Sequence, residues 1–198
     1  MSFEKEIVKH LFVSKVRIKA LKYFLFHPDV PIHLRAATRE MGEEINAVRR
    51  ELTRLEKIRF LHGERRGNRK YFFLNKNFEF YSELLSMTHK TYGLGGEIIR
   101  NAQKLGDVQY AILTSSFTRG MRAGSHDIDL VVIGNVNVEA LAAIVGRMEK
   151  QLGKEVNYTV LKNSEFQLRK KRRDAFIVDL IVGSKIMLLG DEEDLIAG

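Results

Sequence analysis

The stretch Ile112-Leu113-Thr114-Ser115-Ser116-Phe117-Thr118-Arg119-Gly120, followed by Asp127-Ile128-Asp129-Leu130-Val131-Val132-Ile133, decides the fold of the second half of this chain. An apolar run leads into a turn of small residues, and a second run alternates two carboxylates with aliphatic side chains. Because successive side chains of a strand point to opposite faces, we expect Asp127 and Asp129 to share one face. Ile128 and Leu130 are expected to point the other way, into a core.

This pair of carboxylates predicts a cation site. Two carboxylates on one face of an apolar strand repel each other, and their desolvation costs free energy. A hard divalent cation such as Mg²⁺ relieves that repulsion, since it takes oxygen ligands and often bridges to phosphate. The upstream turn, with Ser115, Ser116 and Gly120, offers backbone N–H groups to such a phosphate.

The two segments together resemble the nucleotidyltransferase fold that includes DNA polymerase beta and the minimal nucleotidyltransferases of prokaryotes. Ser116 matches the family serine, Gly120 the later glycine, and Asp127 and Asp129 the metal-binding pair, whereas Ser115 stands where the family has glycine. The resemblance implies catalysis by Asp127 and Asp129 with Mg²⁺ and a nucleoside triphosphate such as ATP. The nucleotide-binding residues that it implies are Ser115, Ser116, Arg119 and Gly120.

The family also supplies a third carboxylate from a later strand. On the family's strand order this position falls in residues 155–161, where the sequence has Asn157. An asparagine can ligate a metal through its amide oxygen, but it brings no charge and cannot act as a base. Asp179 is the alternative if its segment is a strand; we favour Asn157 as the third metal ligand. With Ser115, the site then departs twice from the catalytic pattern.

Composition restricts the class of protein. The chain has 198 residues, of which 44% are hydrophobic, so it has material for one large domain or two small ones. The absence of cysteine excludes disulfides, zinc-thiolate sites and a cysteine nucleophile, and it favours a cytoplasmic location. The first residues carry no long apolar run, so we expect no signal peptide. No segment approaches the roughly 20 apolar residues of a membrane helix, so no membrane partner is expected.

The positive charge is unevenly distributed. The formal net charge is +8, and residues 1–90 contain 19 Lys+Arg against 11 Asp+Glu, so they carry all of the excess. The remaining residues are neutral overall. A basic half beside a neutral half predicts that the first half binds a polyanion.

Three helices are expected in this basic half, at residues 14–26, 33–41 and 44–57, with Ser14 as an N-cap and Gly42 as a helix end. The third helix has an apolar face and a basic face. Arginine can pair bidentately with guanine and asparagine with adenine. The candidate DNA-binding residues on this helix are Asn46, Arg49, Arg50, Thr53, Arg54 and Lys57. The alternative is a solvated arginine surface with Glu51 and Glu56 as internal partners.

A basic hairpin follows the third helix. Residues 60–64 and 70–74 read as two short strands, joined by a turn at 65–69 that contains Arg65, Arg66 and Arg69. The order of three helices and a basic hairpin resembles the winged helix-turn-helix of ArsR-like and MarR-like regulators. The resemblance implies double-stranded DNA as the partner, with the third helix in the major groove and the hairpin arginines on backbone or minor groove.

The boundary between the halves is expected in the glycine-rich residues 90–96, which we interpret as a flexible joint and helix start. Beyond it we predict a helix at 97–105, strands at 108–113 and 155–161, and helices at 138–152 and 164–173. Residues 174–182 fit either a helix or a strand. A further helix at 78–87 suits packing or dimerisation.

The sequence therefore predicts a fold of the α/β (α+β) class. A winged helix-turn-helix occupies residues 1–90, and a nucleotidyltransferase-like mixed sheet with helices occupies residues 91–198. The first functional hypothesis is a DNA-binding transcriptional regulator, expected as a homodimer, whose second domain senses a nucleotide or is a degenerate enzyme. The alternative is an active Mg²⁺-dependent nucleotidyltransferase that transfers a nucleoside monophosphate to a protein or small molecule. A third reading makes the second domain a platform for partners.

Overall fold

The computed structural model describes residues 3–119 and 127–197, and it shows a mixed α+β protein. Its described part contains eleven α-helices and two sheets. The chain divides into two compact units, Met1–Thr88 and His89–Gly198. The division falls inside a helix, Tyr81–Thr91, instead of in a loop.

The first unit combines helices with a small antiparallel sheet. Its elements, in chain order, are α1 (Phe3–Leu11), α2 (Lys15–Phe26), β1 (Ile32–His33), α3 (Leu34–Met41), α4 (Ile45–Lys57), β2 (Leu61–Arg66), β3 (Arg69–Leu74) and the start of α5 (Tyr81–Thr91).

Local capping explains where the helices of this unit begin and end. The Ser14 hydroxyl accepts a hydrogen bond from the Arg17 N–H and starts α2. The Glu44 carboxylate accepts from two backbone N–H groups at the start of α4, and these bonds lower its pKa. Gly42 ends α3 in the left-handed conformation, with φ 58°. The three predicted helices are confirmed, whereas α1 and the two-residue strand β1 were not predicted.

The hairpin of the first unit has a tighter turn than the sequence suggested. Strands β2 and β3 pair as far as Arg65 opposite Lys70 and Arg66 opposite Arg69, so the turn consists of Gly67 and Asn68 alone. Gly67 has φ 56°, as two-residue hairpin turns require. The predicted hairpin is confirmed, but the turn predicted at residues 65–69 is shorter than expected. Its three arginines lie on strands, and β1 extends the sheet on the far side of β3.

The core of the first unit lies between the helices and this sheet. Phe24 of α2, Leu52 of α4 and Phe60 before β2 are completely buried. They keep α4 packed on its inner face, so the opposite face is left to solvent.

The second unit is built on one four-stranded sheet. Its elements are α6 (Gly93–Arg100), a 3₁₀ turn (Ala102–Leu105), β4 (Gly106–Thr114), α7 (Ser115–Arg119), β5 (Leu130–Val136), α8 (Val138–Leu152), β6 (Tyr158–Leu161), α9 (Asn163–Lys171), α10 (Ala175–Val182), β7 (Lys185–Leu189) and α11 (Glu192–Ala197).

The sheet is mixed, as the sequence predicted. The strand order is β6-β5-β4-β7. Strands β5 and β6 are parallel, whereas β4 runs antiparallel to both β5 and β7. Helix α8 supplies the crossover between the two parallel strands. Its bounds match the prediction, because Asn137 caps its start and Gly153 ends it with φ 64°.

One face of this sheet is covered by α9, α10 and α11. The buried side chains of that layer include Ile112 and Val131 from the sheet, Phe166 from α9 and Ile177 from α10. Residues 174–182 are therefore a helix, with Asp174 as its N-cap. Residues 155–157 precede β6 and do not belong to it, so that strand is shorter than expected.

The glycine-rich segment begins a helix, as predicted, but its glycines are packed against other backbone instead of forming a loop. Helix α5 continues to Thr91, α6 begins at Gly93, and Leu94, Gly95 and Gly96 are buried. A Cβ atom on Gly95 would lie 2.3 Å from the backbone oxygen of His89. The glycines therefore permit close packing of backbone on backbone. Helix α6 also stops at Arg100, and the rest of the predicted helix is the 3₁₀ turn.

Within the described ranges, the structure contains no helix of the length and apolarity needed to cross a membrane.

Candidate functional sites

The outer face of α4 carries the residues predicted to contact DNA, and they are all solvent-exposed. They are Asn46, Arg49, Arg50, Thr53, Arg54 and Lys57. The opposite face of the helix, with Val48, Leu52 and Leu55, is buried in the first unit.

These exposed residues fall into a central stripe and two flanks. At 3.6 residues per turn, Asn46, Arg50, Thr53 and Lys57 lie along the line opposite the buried face. Arg49 lies on the same flank as Glu56, and Glu56 forms an ion pair with Lys70 of the hairpin. In that pair, Lys70 Nζ is 2.6 Å from Glu56 Oε2.

Arg54 lies on the opposite flank, beside a buried carboxylate. Glu51 is buried and accepts a hydrogen bond from Arg17 Nε of α2 at 2.6 Å. One guanidinium nitrogen of Arg54 is 3.7 Å from the other oxygen of Glu51. Glu51 and Glu56 are thus internal ion-pair partners, as one reading of the sequence allowed. The sequence did not reveal that their main partners are Arg17 and Lys70, which come from other elements.

On the hairpin, Arg65, Arg66 and Arg69 are exposed. Arg66 donates two hydrogen bonds to Glu64, at 3.1 and 3.2 Å, and its guanidinium lies 5.0 Å from the centre of the Phe73 ring. The hydrogen bonds lower the pKa of Glu64 and raise that of Arg66. Arg66 is therefore held on the hairpin surface, with Glu64 neutralising its charge.

The second unit contains a cleft of about 270 Å³ beside α7. It brings together hydroxyl groups, two carboxylates and one lysine. Its lining residues are Thr114, Ser115, Ser116, Asp127, Ile128, Phe176, Asp179, Leu180, Gly183, Ser184 and Lys185. Ser115 and Ser116 begin the short helix α7, where a turn was expected. Gly120 and the side chain of Arg119 lie outside the described residues.

Asp127 and Asp129 differ in their surroundings. Both precede β5, which begins at Leu130. Asp127 lines the cleft, whereas the carboxylate of Asp129 accepts a hydrogen bond from the Asn157 N–H at 3.0 Å. Ile128 packs against the core cluster that includes Val131, so the predicted alternation of faces does not extend before Leu130.

Asn157 lies beside the aspartate pair, although it precedes β6 and is not part of the strand on which it was predicted. Its backbone oxygen accepts from the Asp129 N–H at 2.7 Å, and its side-chain nitrogen donates to the Asp127 backbone oxygen at 3.1 Å. These contacts connect the segment before β5 to the segment before β6. Asn157 thus positions the backbone of both aspartates.

Asp179 enters the cleft from a helix, which is one of the two structures that the sequence left open for its segment. It lies on α10 and lines the same cleft as Asp127. Lys185 also lines the cleft and was missed by sequence reasoning. Its ammonium donates to the Ile181 backbone oxygen at 2.6 Å and lies 2.8 Å from a Glu192 oxygen.

Phe117 of α7 makes a buried aromatic contact with His89. The ring centroids of Phe117 and His89 are 5.8 Å apart, and Lys154 Nζ lies 4.3 Å from the centre of the Phe117 ring. Burial, and secondarily the charge of Lys154, lower the pKa of His89 to about 4. His89 is therefore neutral at physiological pH.

The described residues offer a metal ion at most two acidic or histidine side chains in one place. Among the residues that the structure describes, no group of three or more His, Asp or Glu side chains is arranged to hold a metal ion. Mg²⁺ needs fewer, because it is commonly held by one or two carboxylates together with substrate phosphates and water. The carboxylates of Asp127 and Asp129 have the oxygen donors that this ion takes.

Comparisons with known proteins leave the family open. No family model matches the chain, and no curated protein sequence matches it. A solved structure of human N-acetylserotonin methyltransferase in complex with SAM aligns with a TM-score of 0.30 and 16% sequence identity over 62% of this chain. The chain spans 38% of the length of that protein. A TM-score this low does not indicate a shared fold.

Proposed function

We propose that this protein is a DNA-binding transcriptional regulator whose first unit is a winged helix-turn-helix module. The observation that carries the proposal is the exposed polar and basic face of α4, from Asn46 to Lys57, which continues onto the basic hairpin through the Glu56–Lys70 ion pair. A helix of this kind fits the major groove, and a narrow basic hairpin beside it reaches the backbone or the minor groove.

The charge distribution supports the same proposal. The excess of positive charge lies in residues 1–90, the part of the chain that contains α4 and the hairpin. Arg65 and Arg69 have no carboxylate within ion-pairing distance among the described residues, whereas Arg66 is paired with Glu64. We therefore assign phosphate contacts first to Arg65 and Arg69, and base contacts to Asn46, Arg49 and Arg50 near the start of α4.

The test is a salt titration of binding to a pool of genomic DNA fragments. Neutralisation of several phosphates makes the logarithm of the affinity fall linearly with the logarithm of the salt concentration. We expect a steep negative slope, which becomes shallower in the Arg65→Ala/Arg69→Ala double variant. Absent binding, or binding that does not depend on salt, would exclude the proposal.

For the second unit we propose a nucleotidyltransferase-like module that binds a nucleotide such as ATP in the cleft beside α7. The proposal is supported by the cleft lining, in which Ser115, Ser116 and Asp127 lie together with Asp179 and Lys185. The hydroxyls and backbone N–H groups suit phosphate oxygens, and the carboxylates suit a cation that accompanies them. In a regulator, this module acts as a nucleotide sensor or as a degenerate enzyme.

The second candidate function is an active nucleotidyltransferase, favoured by the contact between Asn157 and the Asp127–Asp129 segment. Asp127 and Asp129 would hold Mg²⁺. The side-chain amide of Asn157 donates to the Asp127 backbone oxygen, and its backbone N–H donates to the Asp129 carboxylate, so Asn157 would position both residues. When bound, the metal supplies charge stabilisation to a transferring phosphoryl group. Ser115 and Asn157, which replace a glycine and a carboxylate of the family pattern, favour the sensor over the enzyme.

Calorimetric titration with each nucleoside triphosphate and Mg²⁺ tests the cleft. Saturable binding that requires Mg²⁺ and is lost in Asp127→Asn/Asp129→Asn would support both candidates. Transfer of labelled nucleotide to an acceptor, abolished in Asp129→Asn, would then decide for the enzyme. Binding without transfer would decide for the sensor, and no binding would exclude a nucleotide function.

We also propose that the protein is a homodimer, since paired winged helices match palindromic half-sites. Light scattering of the purified chain measures this directly, and a monomer at micromolar concentration would contradict it.

A further inference from the structure

The hairpin sheet of the first unit has an outer face, on the side away from α4. On the inner face, Leu61, Phe72 and Leu74 are buried, and Lys70 reaches Glu56 of α4. Because the side chains of a strand alternate between faces, the outer face carries the remaining positions of β2 and β3. These positions are His62, Glu64, Arg66, Arg69, Tyr71 and Phe73. The aromatic residues among them have no role in the duplex binding proposed above.

The rings of the outer face are in contact with one another. His62 and Phe73 lie opposite each other on the two strands, and their rings are stacked, with centroids 4.9 Å apart and planes inclined by 10°. Tyr71, on the same face of β3, meets the ring of His33 edge-on at a centroid distance of 5.4 Å. The side chain of His62 is exposed, and one face of its ring lies against Phe73. The other face of the imidazole is therefore open to a planar partner.

Arg66 places a flat cation beside these rings. Its guanidinium lies 5.0 Å from the centre of the Phe73 ring and 5.6 Å from that of the Tyr71 ring. Two hydrogen bonds from Nε and a terminal nitrogen to the Glu64 carboxylate fix its orientation. The N–H groups of a guanidinium all point along its plane, so these bonds leave its faces uncovered. The side chain of Arg66 is 51% exposed, which makes one such face accessible.

We propose that this outer face binds single-stranded DNA, whose unpaired bases stack on the His62 ring and the Arg66 guanidinium. Every base has a π face, so aromatic rings and guanidinium planes bind unpaired strands with little dependence on sequence. Both groups are held in place before binding, His62 by Phe73 and Arg66 by Glu64. This arrangement reduces the cost of ordering side chains on association.

The charge of the outer face suits a strand of phosphates. Arg66 and Arg69 stand against one carboxylate, that of Glu64, so the face is cationic. A duplex cannot use the stacking groups in this way, because its base faces are covered by neighbouring bases.

The choice of DNA over RNA rests on the proposed function. Arg65 and Arg66 are neighbours on β2 but belong to opposite faces, since successive side chains alternate. The end of the hairpin therefore joins the outer face to the surface assigned to duplex DNA. An unpaired strand that continues from a bound duplex reaches the outer face around this end.

The binding test uses fluorescence anisotropy on the full chain with a labelled deoxyuridine oligonucleotide of about twelve nucleotides, which is within the usual range of single-strand site sizes. An abasic strand of equal length has the same phosphates without bases, and uridine RNA differs only by its 2′-OH groups. We expect saturable binding of the oligonucleotide, at least about tenfold weaker binding of the abasic strand, and RNA binding no tighter than that of DNA. No binding, or equal binding of the abasic strand, would overturn the stacking site. Tighter binding of RNA would overturn the choice of DNA.

Adjacent arginines of β2 provide matched variants. Arg66→Ala and Arg65→Ala each remove one positive charge, the first from the outer face and the second from the inner face. We expect affinity for the oligonucleotide to fall at least about tenfold in Arg66→Ala and less than about threefold in Arg65→Ala. Arg66→Lys keeps the charge without the plane and should not restore binding. Equal losses in the two alanine variants would show that net charge alone governs binding, and the proposal would then be wrong.

His62 tests the contribution of a ring. His62→Ala removes the ring and should lower oligonucleotide affinity at least about fivefold, whereas His62→Phe keeps a ring and should bind like the wild type. Urea unfolding verifies that both variants are folded, as expected for an exposed position. If His62→Ala dissociates an oligomer and leaves oligonucleotide binding intact, the outer face is an interface between copies of the chain and the proposal is wrong.

Duplex binding separates this inference from the proposed function. His62→Ala should weaken binding of the single strand and leave the affinity for duplex DNA unchanged. Equal weakening of both would show that the outer face is part of the duplex surface, against the proposal. If the protein binds the oligonucleotide but no duplex, the proposed function fails and the stacking site stands.

Discussion

Lys70 of the hairpin and Glu56 of α4 form an ion pair with a nitrogen–oxygen distance of 2.6 Å. The pair passes directly over Gly63 of β2, since a Cβ atom on that glycine would come within 2.3 Å of both Glu56 Oε1 and Lys70 Cε. This contact joins the two basic elements of the first unit into one surface. It also places a carboxylate in the middle of the surface that we assign to DNA.

Removal of this carboxylate should strengthen DNA binding. In Glu56→Gln, Lys70 loses its neutralising partner and becomes available to a phosphate, so DNA affinity should rise. The slope of log affinity against log salt concentration should become steeper by about one released ion. The free energy of unfolding should change by less than about 1 kcal/mol, since exposed ion pairs contribute little. Fluorescence anisotropy with labelled DNA measures the first effect and urea unfolding the second. Glu139→Gln removes the same charge from an exposed site on α8 and should leave affinity unchanged.

Arg50 should contribute strongly to DNA affinity. It lies in the central stripe of α4, opposite the buried face, and is exposed. Arg50→Ala should cost about 1–3 kcal/mol of binding free energy if the side chain reads a base. Arg147→Ala, on the exposed side of α8, removes an equal charge and serves as the control. Equal losses in the two variants, measured at one salt concentration, would show that net charge and not the α4 face governs binding.

Gly95 should tolerate no side chain. A Cβ atom there would lie 2.3 Å from the His89 backbone oxygen and 2.9 Å from a Leu188 side-chain carbon. Gly95→Ala should therefore destabilise the protein by about 1–3 kcal/mol or more through overpacking. Gly146→Ala is the matched control, because its Cβ atom would meet nothing within 4 Å on α8. It should stabilise the protein by up to about 1 kcal/mol through helix propensity. Urea unfolding measures the free energy of unfolding of both variants. A Gly95→Ala protein as stable as the wild type would contradict the packing of α6.

His89 should make stability depend on pH in the weakly acidic range. Burial lowers its pKa from 6.5 to about 4, so between these values the unfolded chain binds a proton that the folded chain does not. The free energy of unfolding therefore decreases as the pH falls from 6.5 to 4, by at most about 1.4 kcal/mol per pH unit. Denaturant unfolding at several pH values measures this slope.

The variant His89→Gln separates this effect from that of the carboxylates. It carries no titrating group at position 89, so most of the slope between pH 4.5 and 6.5 should disappear. Glu43, Glu44 and Glu64 have pKa values lowered from 4.5, so their stabilising contribution is lost only at pH values below that range. An unchanged slope in His89→Gln would show that His89 is accessible to protons in the folded protein.

Prediction from the sequence succeeded where neighbouring residues carry the information. The bounds of α2, α4 and α8 follow from the spacing of apolar residues and from the caps Ser14, Glu44 and Asn137. It failed where a pattern is ambiguous at short range. Residues 90–96 have the composition of a joint, but the glycines are used for close packing, and residues 174–182 are apolar enough for either a strand or a helix.

The sequence by itself determined the mixed α+β class, most of the helices, the central strands of the second unit and the exposure of the basic face of α4. These features depend on residues within a few positions of one another. Only the tertiary structure decided that Asp179 shares a cleft with Asp127, that Asn157 holds Asp129, and that Glu51 pairs with Arg17. The last two contacts join residues 28 and 34 positions apart. Sheet order and helix packing bring such partners together, and no local periodicity encodes them.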